Sequence, residues 1–171
     1  FLNTSTIFLN KNLFLQKLNK FNFLESIIVK KKFPSEIDIN LKKTKFIGIT
    51  IVDEKKYYIG SNGKLTISKQ IKNKKNLPLV FGNFKVMDFL KLQDILSKKK
   101  INLNQIDKYY YFRNKRWDFQ NKDGQLVKLP SKNLNDSVKI YKKLIDNGHL
   151  NLIKIIDLRI PNQIILTDEK K

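Results

Sequence analysis

The sequence predicts an α+β protein in which a helix and a β-hairpin precede a mostly antiparallel sheet that carries two helices on one face. Three observations lead to this fold class: many short alternating or β-branched segments of strand length, two longer segments with helical spacing of apolar residues, and turn-forming residues between them. A length of 171 residues suits one ordinary domain or two small ones, and a hydrophobic content of 41% is sufficient for a buried core.

The first part of the chain predicts a helix followed by two strands. Apolar residues at helical spacing predict a helix over residues 11–19, and a β-branched run predicts a strand over 23–32. Residues 33–35, with Pro34 at their centre, predict a turn because proline fixes its own backbone angle and cannot donate to a strand ladder. Strict alternation over 36–42 then predicts a half-buried strand, so the pair forms an antiparallel hairpin.

The rest of the chain predicts a sheet built from short strands, with an Asn62-Gly63 turn and a second turn over 121–124. The predicted strands are 46–53, 56–59, 106–112, 116–120, 125–129, 152–159 and 162–167, and residues 77–82 form a short apolar segment closed by glycine. Two helices are predicted, over 84–98 and 135–146, the second capped at its start by asparagine or aspartate. Their predicted inward-facing residues are Val86, Phe89, Leu90 and Leu96 in the first and Leu134, Val138, Tyr141 and Ile145 in the second.

The formal net charge of +20 raises the possibility of a nucleic-acid or anionic-membrane partner. The basic residues are almost all lysine and are spread along the whole chain; the arginines are Arg113, Arg116 and Arg159, and alanine is absent. A phosphate-binding protein usually relies on arginine, whose planar guanidinium grips phosphate in two places. This pattern favours a solvated basic surface whose lysine content reflects the codon usage of an AT-rich genome. A basic nucleic-acid-binding domain is the leading alternative.

The aromatic run at Tyr109–Phe112, beside Arg116 and Trp117, is the best candidate for base stacking. In an alternating strand at least half of these rings belong to the core, because sheets favour aromatic residues for packing. The core interpretation is therefore preferred for this run.

The inventory of reactive side chains is small. The sequence has no cysteine and one histidine, His149, which follows Asn147-Gly148 in a predicted turn. A general base needs an oriented partner and a zinc site needs several ligands, so we predict no catalytic residue, no metal site, no cofactor and no small-molecule substrate. Gly-rich phosphate loops and nucleophile elbows are also absent from the sequence.

Several segments, taken in order, resemble those of the FtsQ/DivIB family of bacterial cell-division proteins. They are the apolar strand, basic segment, aromatic-proline turn and alternating strand over 23–39, Asn62-Gly63, Leu77-Pro78-Leu79-Val80-Phe81-Gly82, Arg116-Trp117-Asp118-Phe119, the hairpin over 123–129, and Ile156-Asp157-Leu158-Arg159. The resemblance implies a partial POTRA domain over 1–44, whose first strand and first helix would precede Phe1, and a β domain over 45–171. The junction departs from the family, since Lys42-Lys43-Thr44-Lys45-Phe46-Ile47-Gly48 replaces its glutamate-arginine-x-proline-x-alanine segment.

The same resemblance implies a non-catalytic scaffold of the divisome, acting in septum formation. The chain would be the periplasmic part of a single-pass inner-membrane protein, with its transmembrane helix upstream, since no membrane span or signal peptide is visible in the sequence and the first residue is not methionine. The implied partners are division proteins of the FtsB and FtsL type, rather than nucleic acid. A POTRA-bearing outer-membrane assembly or secretion component is a further alternative.

The implied binding mode is β-strand addition to the last strand of the chain. An edge strand leaves a row of unpaired backbone groups, and these accept a strand from another polypeptide. Arg159 is expected to pair with a carboxylate of the partner. The predicted partner-binding residues are Arg159, Ile160, Asn162, Gln163, Ile164, Ile165, Leu166 and Thr167.

Overall fold

The computed structural model describes residues 15–16, 18, 20–32, 36–70, 76–148, 150, 152–161 and 163–168. Within these residues the strands form a two-stranded antiparallel sheet and a nine-stranded sheet. The small sheet consists of β1 (Leu24–Lys32) and β2 (Glu36–Lys43). The strands of the large sheet are β3 (Phe46–Val52), β4 (Lys55–Gly60), β5 (Leu65–Ile67), β6 (Leu79–Phe81), β7 (Ile106–Tyr111), β8 (Trp117–Asn121), β9 (Leu126–Lys128), β10 (Ile153–Asp157) and β11 (Ile165–Asp168).

The large sheet has the strand order β11-β10-β9-β8-β7-β6-β3-β4-β5. Strand β6 is parallel to both β3 and β7, and β9 is parallel to β10, while the other neighbouring strands are antiparallel. Two helices, α1 (Val86–Lys98) and α2 (Leu134–Asp146), supply the crossovers of the parallel pairs β6–β7 and β9–β10, whereas the connection between β3 and β6 contains β4 and β5. Short 3₁₀ turns occur at Ser68–Gln70 and Leu103–Gln105. The predicted α+β fold class is confirmed.

Both helices cover the same face of the large sheet. Tyr109, Phe119, Val127 and Ile156 stand opposite one another across β7–β10 and are fully buried. From α1, the ring of Phe89 lies 5.0 Å from that of Tyr109, and from α2 the ring of Tyr141 lies 5.4 Å from that of Phe119. Each buried aromatic or aliphatic side chain of this kind contributes roughly 1.5–3 kcal/mol to folding, so this layer holds helices and sheet together.

The predicted helix faces need two corrections. In α1 the buried residues are Phe89, Leu92 and Leu96, so Leu92 takes the place that was predicted for the partly exposed Leu90. In α2 the buried residues include Val138 and Tyr141, whereas Ile145 is exposed. In the last turn of α2 the partly buried Leu144, three residues after Tyr141, packs against the core in place of Ile145.

Several helices and strands begin or end at other residues than predicted. The predicted helix over 11–19 is helical at Leu15, Gln16 and Leu18, and its remaining residues and the predicted turn at 33–35 lie outside the described residues. Strand β3 ends at Val52 because Asp53 and Glu54 adopt positive φ angles of 47° and 60° to make the turn into β4. Strand β10 is shorter than predicted, and β5 was not predicted.

The hairpin β1–β2 has the predicted antiparallel pairing but not the predicted burial. Val29 stands opposite Ile39 and Ile27 stands opposite Leu41, so these four apolar residues share one face. Only Val29 is buried, while Ile39 and Leu41 are exposed among the described residues. A two-stranded sheet buries a face only where another element covers it, so alternation alone did not predict this exposure.

The two sheets meet at the turn between β4 and β5. The side-chain amide of Asn62 donates to the carbonyls of Asn22 (2.9 Å) and Leu24 (3.1 Å), which precede and begin β1. The side-chain amide of Asn22 donates in return to the carbonyl of Leu65 in β5 at 2.9 Å. The backbone N–H of Asn62 donates to Thr44 Oγ1 at 3.3 Å. The predicted Asn-Gly turn thus also joins the hairpin to the large sheet.

Candidate partner-binding edge

Strand β11 lies at one edge of the nine-stranded sheet. Its inner flank pairs with β10, with Ile153, Ile155, Ile156 and Asp157 standing opposite Asp168, Thr167, Leu166 and Ile165. Within the part of the chain that the structure describes, no strand pairs with its outer flank. Its outward backbone N–H and C=O groups are therefore available to another polypeptide.

The side chains of this segment are exposed on both sides of the sheet. Ile164, Ile165 and Leu166 retain 44%, 46% and 41% of their accessible surface. Ile165 stands beside Asp157 on the face away from the helices, and Leu166 stands beside the buried Ile156 on the helix face. An added strand that pairs with β11 would meet one apolar side chain on each face of the sheet.

The edge strand begins later than predicted. The predicted range 162–167 becomes β11 at Ile165–Asp168, because Ile160 and Pro161 form a turn in which Gln163 N donates to Ile160 O at 3.2 Å. Ile160, Gln163 and Thr167 are exposed, and Asn162 lies outside the described residues. Of the predicted binding residues, Ile165, Leu166 and Thr167 lie on the edge strand itself.

Arg159 is already engaged within the chain. Its Nε lies 2.8 and 2.9 Å from the two carboxylate oxygens of Asp157, and its Nη2 donates to Asp157 Oδ2 at 2.5 Å. This hydrogen bonding holds the pKa of Asp157 below its usual range and raises that of Arg159. Because 42% of the Arg159 side chain is accessible, its guanidinium can contact a second carboxylate while it stays held by the first.

A second arginine–aspartate pair lies two strands away. Arg116 donates from Nε and Nη2 to the two oxygens of Asp118 at 3.1 and 3.2 Å, and Leu129 N donates to Asp118 Oδ1 at 3.3 Å. Asp118 is only 3% exposed. Desolvation by burial raises the pKa of Asp118, and the charge of Arg116 opposes that rise.

The two pairs are parts of one row across the sheet. Asp118 stands opposite Lys128, and Lys128 stands opposite Asp157, so charged residues of β8, β9 and β10 line up on the open face next to Ile165. The prediction named Arg159 alone and missed the rest of this row. Aspartate and arginine two residues apart on a strand share a face, and that spacing in Arg116-Trp117-Asp118 and Asp157-Leu158-Arg159 was the available signal.

A cavity of about 420 Å³ adjoins this end of the sheet. The arginines at the start of β8 and after β10 line it together with the start of α2 and the loop before β11. Residues of the lining include Arg116, Asn133, Ser137, Ile140, Arg159 and Gln163. The cavity gives the edge strand a neighbouring recess with both polar and apolar walls.

The aromatic run divides between the two faces of the sheet. Tyr109 and Trp117 are buried on the helix face, where Tyr111 also packs against Trp117 at 4.7 Å between ring centroids. Burial raises the pKa of the Tyr109 hydroxyl above its ordinary value, and Gln93 donates to that hydroxyl at 2.9 Å. Tyr110 and Phe112 point to the opposite face and are not part of this core.

The described ranges offer few groups suited to catalysis or metal binding. They contain no group of three histidine, cysteine, aspartate or glutamate side chains that could hold a metal ion. His149 lies outside them. Among the same residues, no helix combines the length and the apolar character that crossing a bilayer requires.

Comparison with known proteins finds a family model, a curated relative and solved structures that are similar to this chain. A family model described as "Cell division protein FtsQ/DivIB, C-terminal" matches residues 50–159, which is more than half of the chain. The cell division protein FtsQ of Rickettsia bellii (strain RML369-C) is 28% identical over 162 residues, covering 93% of this chain and 60% of the relative, so the chain spans about three fifths of that protein's length. The major extracytoplasmic domain of the trans isomer of the cell division protein DivIB from Geobacillus stearothermophilus is 17% identical with a TM-score of 0.43, over 64% of this chain and 98% of that one. The family-model match shows that this chain belongs to the FtsQ/DivIB family of cell-division proteins.

Proposed function

We propose that this chain is a non-catalytic scaffold of the division machinery that captures a partner polypeptide by β-strand addition to β11. The single observation that carries the proposal is the position of β11 at the sheet edge, with its outer flank unpaired by any described strand. Main-chain hydrogen bonds to that flank supply affinity, and alternating side-chain contacts supply specificity. The partners proposed are division proteins of the FtsB and FtsL type, in keeping with the family.

The side chains around β11 support this mode of binding. Ile164, Ile165 and Leu166 offer exposed apolar surface, and an added strand would cover part of it. Arg159 presents a guanidinium that Asp157 already orients, so little side-chain freedom remains to be lost on binding. A partner strand with apolar residues and one carboxylate near its end would match both features.

The proposed organisation follows from the two sheets. We assign residues 1–44 to a partial POTRA domain and residues 45–171 to the β domain. The change from the small sheet to the large one between Lys43 and Phe46 supports this division, and the family-model match over 50–159 falls within the second part. The proposed location is the periplasmic side of the inner membrane at the division septum, with an anchoring helix upstream.

The test compares folded variants for capture of the C-terminal extracytoplasmic segment of an FtsB-type partner. Ile165→Asp places a charge where an added strand would pack, and Arg159→Glu replaces the oriented cation with an anion. We expect either change to abolish capture, measured by pull-down and by fluorescence anisotropy of the labelled partner segment. The matched control is Met87→Asp, at an exposed apolar position on α1 away from β11, which should bind as wild type does.

Circular dichroism must show that both edge variants retain the fold. Capture at wild-type strength by folded Ile165→Asp and folded Arg159→Glu would refute strand addition at β11. The nucleic-acid alternative is tested with the same proteins, because phosphate binding weakens steeply with salt whereas pairing of backbone groups is much less sensitive. Tight binding of an oligonucleotide that falls steeply with added salt, together with no capture of the partner segment, would favour that alternative.

A further inference from the structure

The chain contains two Asn-Gly pairs, Asn62-Gly63 and Asn147-Gly148, and the fold places them in different surroundings. An asparagine followed by glycine is chemically labile, because the backbone nitrogen of the glycine can attack the side-chain amide and glycine has no side chain to hinder that approach. Whether such a pair reacts in a folded protein depends on how firmly the asparagine side chain and the following nitrogen are held.

The side chain of Asn62 is held by hydrogen bonds at both ends of its amide. Its Nδ2 donates to the carbonyls of Asn22 at 2.9 Å and Leu24 at 3.1 Å, and its Oδ1 accepts from the backbone nitrogen of Lys64 at 3.1 Å. The residue is also partly buried. To bring its Cγ onto the nitrogen of Gly63, Asn62 would have to give up these hydrogen bonds together.

The surroundings of Gly63 restrict the reaction further. Its backbone nitrogen donates to the carbonyl of Gly60 at 3.0 Å. A Cβ atom added at Gly63 would lie 3.2 Å from Sδ of Met87, so helix α1 packs against this turn. The backbone at Gly63 therefore has little freedom to move toward the Asn62 side chain.

The second pair lies at the exposed end of α2. Asn147 is the C-terminal cap of the helix, and both Asn147 and Gly148 are exposed. Within the part of the chain that the structure describes, the side-chain amide of Asn147 has no hydrogen-bond partner. Gly148 has a φ of +69°, and a Cβ atom added there would meet nothing within 4 Å.

The backbone hydrogen bonds of this second pair belong to the end of the helix. The nitrogen of Asn147 donates to Lys143 O at 3.0 Å, and that of Gly148 donates to Ile145 O at 3.1 Å. Helix ends fray, so these terminal bonds open more often than those inside the protein. The nitrogen of Gly148 is therefore free at intervals to approach the Asn147 side chain.

We propose that Asn147-Gly148 is a site of spontaneous deamidation in the folded chain and that Asn62-Gly63 is protected from the same reaction. The backbone nitrogen of Gly148 loses its proton to solvent base and bonds to Cγ of Asn147. The bond from Cγ to Nδ2 then breaks, and Nδ2 leaves as ammonia. Water opens the resulting cyclic imide at either of its carbonyls, so an amide and a water molecule become a carboxylate, as aspartate or isoaspartate, and ammonium.

The product changes the connection that leads from α2 into β10. The new carboxylate lies at the C-terminus of a helix, where the helix dipole disfavours negative charge, and it follows Asp146 directly in the chain. Isoaspartate also lengthens the main chain between α2 and β10. Because β10 pairs with β11, the altered connection leads directly into the strand that supports the open edge.

The experiment incubates the 171-residue chain at mildly alkaline pH, in native buffer and in parallel in guanidinium chloride. Proteolytic peptides that contain each pair are then followed by mass spectrometry, and isoaspartate is measured with an S-adenosylmethionine-dependent isoaspartyl methyltransferase. The test variant is Asn147→Gln, because glutamine forms the cyclic imide much more slowly. The matched control is Asn135→Gln, also exposed on α2 but followed by aspartate instead of glycine.

We expect the Asn62 peptide of the native chain to convert at least about tenfold more slowly than the Asn147 peptide. In guanidinium chloride the two peptides should convert at similar rates, because the hydrogen bonds of Asn62 are lost. Asn147→Gln should remove most of the isoaspartate of the native chain, whereas Asn135→Gln should leave it unchanged. Conversion at Asn147 should become faster as the pH rises, because the attacking nitrogen must lose its proton.

Three results would overturn the proposal. Equal conversion of the two pairs in native buffer would show that the hydrogen bonds of Asn62 give no protection. An intact Asn147 in native buffer, with conversion in guanidinium chloride, would show that the end of α2 shields it. Conversion of Asn147 to aspartate without any isoaspartate would exclude the cyclic imide.

Discussion

The two edges of the nine-stranded sheet are treated differently by the rest of the molecule. At one edge, β5 has only three residues, Thr66 within it is buried, and the carbonyl of Leu65 accepts a hydrogen bond from Asn22. At the other edge, every residue of β11 is exposed. Natural sheets commonly protect their edges against pairing with other chains. An edge that is left open while the opposite edge is covered therefore suggests that the open edge binds a partner. Here the N-terminal hairpin region covers one edge and leaves the other available for a partner.

The largest expected effect on stability comes from the Arg116–Asp118 ion pair, which lies on the same sheet as the open edge β11. Asp118→Ala would leave the partly buried Arg116 guanidinium without its carboxylate partner and would remove one of two acceptors of the Leu129 N–H, which also donates to Trp117 O at 3.2 Å. Removing one member of a buried ion pair costs about 3–5 kcal/mol, so we expect a loss of that size in the free energy of unfolding, measured by urea denaturation. Asp123→Ala, in the exposed turn between β8 and β9, is the control and should change stability little. An equal effect of the two substitutions would show that the Arg116–Asp118 pair contributes nothing to stability.

The covered edge at β5 is tested by Asn62→Ala, for which we expect an intermediate loss of stability. This change removes the hydrogen bonds from the Asn62 side chain to the carbonyls of Asn22 and Leu24. We expect a cost of roughly 1–3 kcal/mol, concentrated in faster hydrogen exchange of β1 and β5 amides while β10 and β11 keep wild-type exchange. Gln105→Ala, at an exposed position, should leave exchange in all four strands unchanged. Equal acceleration in β5 and β10 would contradict the assignment of Asn62 to the covered edge alone.

The ion pair beside the open edge gives the smallest effect, and it depends on pH. The hydrogen bonds from Arg159 lower the pKa of Asp157, so the folded chain binds this proton less tightly than the unfolded chain does. The stabilisation is therefore fully present above the unfolded value of about 3.9 and is lost as the pH falls through the lower folded value. Because 42% of the Arg159 side chain is accessible to solvent, which screens the pair, the effect should stay below about 1 kcal/mol.

Asp157→Asn tests the direction in which this stabilisation changes with pH. We expect the variant to be slightly less stable than wild type at neutral pH, with the difference disappearing on acidification, as measured by thermal unfolding across a pH series. A difference that grows as the pH falls would show that the Asp157–Arg159 pair does not act through the ionised carboxylate.

Local patterns predicted the elements well where the pattern and the burial coincide. The helices α1 and α2, the turn at Asn62-Gly63 and the strand before Arg159 all follow from residue spacing and turn chemistry. Leu90 and Ile145 were assigned to the inward faces, although Leu92 and Leu144 pack there, because both helices carry several apolar residues close together in the chain and periodicity alone does not choose among them. The connection between the first two strands of the large sheet was predicted one residue too late, at 54–55 instead of Asp53 and Glu54, because two charged residues with positive φ give no glycine signal.

The sequence by itself determined the fold class, the order of the elements and the resemblance that points to the family, because these depend on local spacing and on the succession of short segments. Only the tertiary structure decided which strands lie at the sheet edges, that Arg159 is already bound by Asp157, and that Phe81 and Tyr110 stack on the open face. Those features depend on contacts between residues far apart in the chain, which strand order and register bring together and which no local pattern encodes.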